Sequence, residues 1–461
     1  AKQALWEGRT RESAAGGGHL LGSSGNALCA IDRRAFLRAI GASFAAVASA
    51  CALPSCTPRD PDGRTVVSLW FAYGGKNREE LLALVQKFNA SQAAVRVDAT
   101  YQGDYFEALA KLRTAIAARA APALTHVIGE VLPYLAEAGV LTPLDALAEG
   151  AAQGELSADL VPALAQEGAY VGGADRPLWG LPFNRSTPIA YLNGAVLKEL
   201  GLAPPTTWDE LRAFAKAATI RAADGSVPRW GFACPVDWWF WAALVGQAGG
   251  EVIANDGTVT LGGEAGARAL RFWQTLVHED RTMKPPPGRD YNAWQAAKGD
   301  YLAGRAAMIW SSTADVRYLE TNAKFQVVAA PLPRDGRASV TVGGTLFVMP
   351  KGAAPDAQAA ALRFLRWMIA PEQANQWATR TGYMPVSKSG LEQLRNAGYY
   401  AQHPNDAVAV EQLRVASPWP WCTELFRVQR EIVQPRLEEA VLARRDANDV
   451  LEEARRAARE P

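Results

Sequence analysis

At 461 residues, 49% of them hydrophobic, the chain is longer than one core usually serves, so two or more compact lobes are expected. Its 48 Lys and Arg against 47 Asp and Glu leave a formal net charge of +1, which gives nucleic acid no electrostatic footprint to bind. The 15 Trp and 12 Tyr are many for this length: they suit a core, and they equally suit flat apolar ligands such as sugar rings or a quaternary ammonium.

The stretch from Ala1 to Ala30 is rich in Gly and Ser without hydrophobic period and reads as a leader or tag. Asp32-Arg33-Arg34-Ala35-Phe36-Leu37-Arg38 and the uncharged run Ala39 to Leu53 have the form of a twin-arginine export signal, the run being shorter than the ~20 residues of a membrane-spanning helix. Leu53-Pro54-Ser55-Cys56 has the form of a lipobox, which would lipidate Cys56; Ala48-Ser49-Ala50 before Cys51 offers ordinary cleavage instead. The expectation is an exported protein, periplasmic or held as a lipoprotein on the outer face of the cytoplasmic membrane. Residues 1–56 are then leader and signal, and 57–64, with Pro58, Pro61 and Gly63, a polar tether. Beyond the signal only Cys234 and Cys422 remain, too sparse for a disulfide scaffold, and whether they pair stays open.

From Val66 strands and helices alternate. Val66, Val67, Leu69, Trp70 and Phe71 predict a strand; Leu81, Leu82, Leu84, Val85 and Phe88 recur at helical spacing; Val95, Val97 and Ala99 alternate with polar residues as a second strand. Tyr105, Ala108, Leu109, Leu112 and Ile116 predict another helix, and Leu124 to Ile128 a third strand. This is the βαβ pattern of a largely parallel sheet covered on both faces. Further strands are expected at Ala306–Trp310 and Leu346–Met349, a helix at Ala265–Val277, and a mainly helical C-terminal third ending in the mixed-charge stretch Glu452–Glu460.

Catalytic patterns are scarce. The four His (His19, His126, His278, His403) show no zinc-ligand spacing, and His126, inside an apolar strand, reads as a core His. There is no phosphate loop or nucleophile elbow in the mature region, and carboxylate pairs such as Glu79-Glu80 sit on predicted helices as solvated faces. No cofactor, metal or enzymatic activity is expected.

Four segments, Thr100-Tyr101-Gln102-Gly103-Asp104-Tyr105, Pro182-Phe183-Asn184-Arg185-Ser186-Thr187-Pro188 with Tyr191-Leu192-Asn193, Gly343-Gly344, and Thr381-Gly382-Tyr383-Met384-Pro385-Val386, together resemble bacterial extracellular solute-binding proteins. The Gly-Asp-Tyr word and the stretch from Gly398-Tyr399-Tyr400 to Asn405 resemble within them the branch that binds sn-glycerol 3-phosphate and glycerophosphodiesters. The resemblance runs in order from about Val66 to Ala440. It implies a two-lobed α/β fold of the periplasmic-binding-protein type (type II-like), hinge-linked, with ligand in the central cleft, closure on binding, and delivery to the membrane permease of an ABC importer by a monomer. The boundaries it suggests are 65–184 plus 307–350 for the N-terminal lobe and 185–306 plus 351–461 for the C-terminal lobe.

Carried over by position, the implied ligand contacts are Tyr105, Ser186, Ser312, Gly344, Tyr383 and Arg430, with Arg427 the alternative to Arg430. Hydroxyls, a glycine backbone N–H and a forked guanidinium suit a phosphate, and the phenols cover glycerol carbons. The plain readings are a turn hydroxyl for Ser186, a strand bulge for Gly343-Gly344 and a helix cap for Tyr105. The family's carboxylate aligns at Gly129 with Glu130 one place on, and its aromatic wall at Trp239, with Val236 where some relatives carry a second tryptophan. One indole beside apolar surface suits a quaternary ammonium, hence glycerophosphocholine. The rival expectations are a sugar or oligosaccharide on the same fold, a secreted glycerophosphodiester hydrolase, and a sensor without an importer.

Overall fold

The computed structural model describes residues 58–147, 155–168 and 177–460. The signal, Cys51 and Cys56 lie outside the described residues. From Arg59 the expected tether is a hydrogen-bonded turn: Arg59 bridges to Thr65, and the Asp60 carboxylate accepts Arg64 N at 2.8 Å and Arg64 Nε at 2.7 Å.

The strands are β1 (Thr65–Phe71), β2 (Val95–Tyr101), β3 (Leu124–Ile128), β4 (Leu141–Thr142), β5 (Leu181–Ser186), β6 (Pro188–Asn193), β7 (Phe232–Ala233), β8 (Met283–Lys284), β9 (Met308–Ser312), β10 (Val327–Ala330), β11 (Val340–Thr341), β12 (Gly343–Pro350) and β13 (Ala416–Ser417). One six-stranded sheet runs β2-β1-β3-β12-β4 with β5 beside β12, a five-stranded sheet runs β10-β6-β9-β7-β8, and β11 pairs with β13. Each sheet carries its own lobe. Strand β1 alternates buried and half-buried residues because helix Gly75–Ser91 packs Leu81, Leu84, Val85 and Phe88 against it. In the second lobe helix Trp238–Gln247 is apolar nearly all round and is buried nearly all round, as a helix without a polar stripe must be.

Both sheets are mixed, where the alternation predicted a largely parallel one. β1 pairs parallel with β2 and β3, but β12 returns from the other lobe and pairs antiparallel with β3, β4 and β5. The lobe boundaries also depart from expectation. Arg185 and Ser186 still belong to β5, and the chain crosses at Thr187. β9 and β10 join the second sheet, while helices Pro355–Ile369 and Pro371–Thr381 cover the first, putting Phe364, Leu365, Met368 and Trp377 in one core with Val67 and Leu69. An amphipathic helix announces that it buries a face; the sheet that receives it is settled by long-range packing. The crossing at Thr187 is braced: Gln412 Nε2 donates to Thr187 Oγ1 at 2.8 Å and Pro188 O at 2.7 Å, and Thr313 N donates to Thr187 O at 3.0 Å.

The thiols of Cys234 and Cys422 are free, Cys234 being buried. Among the described residues no helix is long and apolar enough to cross a membrane, and no group of three or more His, Cys, Asp or Glu could hold a metal.

Candidate ligand cleft

The candidate site gathers around the Thr187 crossing, where β5 and β12 of the first sheet run into β6 and β9 of the second. Asp104 caps helix Tyr105–Ala117, its carboxylate accepting Phe106 N at 2.8 Å and Glu107 N at 2.9 Å while Glu107 reaches back to Asp104 N. This fixes Tyr105 in the first turn. Tyr383 follows helix Pro371–Thr381, whose end is Gly382 at φ +88°, and its ring stacks on Trp377 at 5.7 Å and 10°. Both tyrosines are half-buried and their phenols held protonated, Tyr383 pushed up to about 12 by desolvation.

Behind them lies a fully satisfied chain of hydrogen bonds. Ala72 N donates to His126 Nε2 at 2.8 Å, so the imidazole proton sits on Nδ1 and is donated to Thr345 Oγ1 at 2.8 Å. Thr345 Oγ1 in turn bonds Asn184 Oδ1, and Asn184 Nδ2 donates to Tyr105 Oη at 3.3 Å. Burial drives His126 down to about 3, so it stays neutral and keeps this polarity. The core reading of His126 holds, with the addition that it orients Asn184 and through it Tyr105.

Gly344 sits opposite Arg185 at φ +99°, and a Cβ there would lie 2.0 Å from Asn184 O. The register shifts between Gly344 and Leu346, so this is a bulge whose glycine is required by the neighbouring backbone. Ser186 pairs with Gly343 and Ser312 with Pro188, placing both hydroxyl residues beside the Thr187 crossing. Ser186 is buried; the Ser312 hydroxyl accepts Ala314 N at 3.1 Å.

From the second lobe, Asp237 caps helix Trp238–Gln247 by accepting Trp239 N at 2.8 Å, and takes Trp294 Nε1 at 3.2 Å. The Trp239 indole donates to Thr341 O at 2.9 Å, stacks on Trp294 at 5.8 Å and 27°, and lies so close to Gly343 that a Cβ there would meet Cζ2 at 2.6 Å. Trp238 stacks on Trp419 at 5.4 Å. The aromatic wall is thus longer than the single indole expected, and Trp294, not Val236, extends it.

Glu130 lies in the short turn Gly129–Val131 after β3 and is buried, raised to about 7 by desolvation, with Arg185 and the Trp419 indole favouring its charge and Asp237 opposing it. Arg185 is buried too, lowered to about 10 by desolvation against the pull of Glu130, Tyr105, Tyr383 and Tyr73. A buried guanidinium and a buried acid, Arg185 and Glu130, thus lie in the first lobe within electrostatic reach of the half-buried Asp237 of the second. Sequence reasoning missed Arg185, Asp237, Asn184 and Trp419. Arg185 directly precedes Ser186, the motif's expected contact, and Asp237 directly precedes the tryptophan run.

The Arg430 fork is engaged by Asp290, with Nη2 at 2.9 Å from Oδ2, and its guanidinium lies 4.0 Å from the Phe106 ring centroid of the first lobe. Arg427 turns away, bonding Glu424 at 2.8 Å and Glu460 O at 3.1 Å.

The model of the bacterial extracellular solute-binding protein family matches residues 83–401. The chain belongs to that family. Solute-binding proteins of this kind bind small ligands and hand them to ABC permeases, and this chain is the substrate-binding protein of an ABC importer. It is 25% identical over 370 residues to the sn-glycerol-3-phosphate-binding periplasmic protein UgpB of Yersinia pestis, covering 77% of this chain and 82% of that one, and 25% identical over 388 residues to that of Escherichia coli, covering 81% and 86%. Among solved structures, UgpB of Mycobacterium tuberculosis in complex with glycerophosphocholine superposes with a TM-score of 0.75 at 22% identity, over 86% of this chain and 98% of the other. The cyclic alpha-maltosyl-1,6-maltose binding protein of Arthrobacter globiformis gives 0.69 at 22%, over 86% and 98%. These likenesses establish the two-lobed fold.

Proposed function

We propose that the cleft captures sn-glycerol 3-phosphate or its diesters, glycerophosphocholine above all, and that the exported protein, anchored through a lipidated Cys56, presents them as a monomer to its permease. The observation that carries the reading is the pairing of a buried cation with phenol donors on one side, Arg185 behind Tyr105 and Tyr383, and an aromatic wall with a half-buried acid on the other, Trp239 and Trp294 beside Asp237. A zwitterionic diester has a phosphate for the first and a quaternary ammonium for the second. Ser186, Ser312 and the Gly344 N–H contribute donors at the hinge, Glu130 accepts from a glycerol hydroxyl, and Arg430 closes the mouth. Contacts from both lobes stabilise the closed state and shift its population.

A sugar is the second reading, favoured by the stacked Trp239, Trp294 and Phe240 rings and by the engagement of Arg430 with Asp290. Titration calorimetry of the mature chain with sn-glycerol 3-phosphate, glycerophosphocholine and maltose in one buffer separates the two. Glycerophosphocholine is expected to bind tightest and to be recovered intact; binding of maltose alone would replace this reading by the second, and release of choline would point to the hydrolase.

A further inference from the structure

Away from the cleft, at the far end of the second lobe, lies a concavity of about 610 Å³ lined by Arg221, Val227, Trp230, His278, Arg281 and Arg444 among others. Strand β7 leads from Phe232 toward Asp237 and the cleft, so Trp230 stands at its opposite end. The arginines come from separate segments: Arg221 follows helix Trp208–Ala218, Arg281 follows the turn Thr275–Glu279, and Arg444 precedes helix Ala447–Arg459. Nothing local in the sequence brings them together; the fold does.

The neighbourhood leaves their charge available. Arg221 Nη2 is held by main-chain carbonyls, Arg281 O at 2.7 Å and Asp280 O at 3.3 Å, so it is positioned without being neutralised. Asp280, next in the chain to Arg281, already serves Arg212 and Lys216, the latter at 2.9 Å. His278 Nε2 donates to Val441 O at 2.7 Å, which leaves Nδ1 as its open position. Arg281 and Arg444 both hold a left-handed backbone, at φ +52° and +57°, a conformation that costs a non-glycine residue energy and recurs where side chains are aimed at a ligand.

We propose that this concavity is a second, separate ligand site that takes a phosphate group. Guanidinium forks match carboxylate and phosphate alike, but donors arriving from three segments around one space match a tetrahedral group with oxygens on every side better than a planar carboxylate. The half-buried Trp230 offers an apolar face to whatever the phosphate is attached to. A free phosphate compound and the phosphate of a membrane lipid share this chemistry.

The test uses the full mature chain with the cleft disabled by Tyr383→Ala and Trp239→Ala, so that any signal comes from elsewhere. Inorganic pyrophosphate is titrated calorimetrically, and co-sedimentation is measured with vesicles of equal parts phosphatidylglycerol and phosphatidylcholine against phosphatidylcholine alone. Saturable binding is expected, falling about tenfold or more in Arg221→Gln/Arg281→Gln/Arg444→Gln. It should persist in the charge-matched Arg366→Gln/Arg380→Gln/Arg395→Gln, whose arginines are exposed on the other side of the fold's hinge region. Arg444→Gln alone, with unchanged melting temperature, guards against misfolding and is expected to lose several-fold. Response to pyrophosphate identifies a free compound, and response only to anionic vesicles a lipid headgroup. Absence of both, or an equal loss in the charge-matched variant, overturns the proposal.

Discussion

The phenol oxygens of Tyr105 and Tyr383 lie 3.4 Å apart although the residues are separated by 278 positions in the chain. One is placed by a capping box, the other by a left-handed helix end stacked on Trp377, and the Asn184 amide joins them to His126. If the pair donates to the anionic part of a ligand, Tyr105→Phe and Tyr383→Phe each remove one hydrogen bond to a charged group. Each should weaken the phosphate ligand about tenfold or more while leaving a neutral sugar nearer its original affinity, read by calorimetry.

Glu130 and His126 give this molecule a pH dependence of a definite sign. Glu130 is raised from 4.5 to about 7, so between those values the folded chain keeps a proton the unfolded chain has lost, and stability falls as pH rises through that window, then levels. His126 is lowered from 6.5 to about 3, so the unfolded chain takes its proton first and stability is lost as pH falls below about 6.5. Melting temperatures from pH 4 to 8 in Glu130→Gln should lose the decline above about 4.5, and those in His126→Gln the part of the acid limb that His126 contributes. An unchanged pH profile in either would mean that the group is solvated.

Trp239 against Gly343 ties the second lobe to the segment that feeds β12. Gly343→Ala places a methyl in the indole ring and should displace it, whereas Trp239→Ala deletes the wall. Both should lower ligand affinity, Trp239→Ala by about tenfold or more, and both should diminish any ligand-induced change in tryptophan fluorescence.

Arg430 over Phe106 spans the two lobes, joined by Phe106 with Phe426 at 6.2 Å. Phe106→Ala should remove about 1 kcal/mol from the closed state, enough to shift the balance roughly fivefold. Small-angle scattering of the ligand-free chain should report a larger radius of gyration, restored by saturating ligand.

Gly344→Ala tests the bulge. The methyl would strike Asn184 O, and the left-handed φ adds strain, so a loss of about 2 kcal/mol or more is expected in denaturant unfolding, with affinity falling because Asn184 moves.

Much of this molecule was legible in one dimension. The strand Leu124–Ile128 and the helices beginning near Tyr105 and Ala265 are local matters, set by hydrophobic period and, for the first helix, the capping Asp104, and they formed where the pattern placed them. The motif words containing Tyr105, Ser186 and Tyr383 are neighbours in the fold, Asn184 bonding Tyr105 and Arg185 bridging Met384. Which sheet receives β9, β10 and the helices from Pro355 to Thr381 was decided only by tertiary structure, because an apolar stripe has no address and the chain passes between lobes. The same holds for Arg185, Asp237 and Glu130. Their residue types were plain in the sequence, but the desolvation that alters the acidity of two carboxylates and a guanidinium comes from residues far apart in the chain and arises only in the folded molecule.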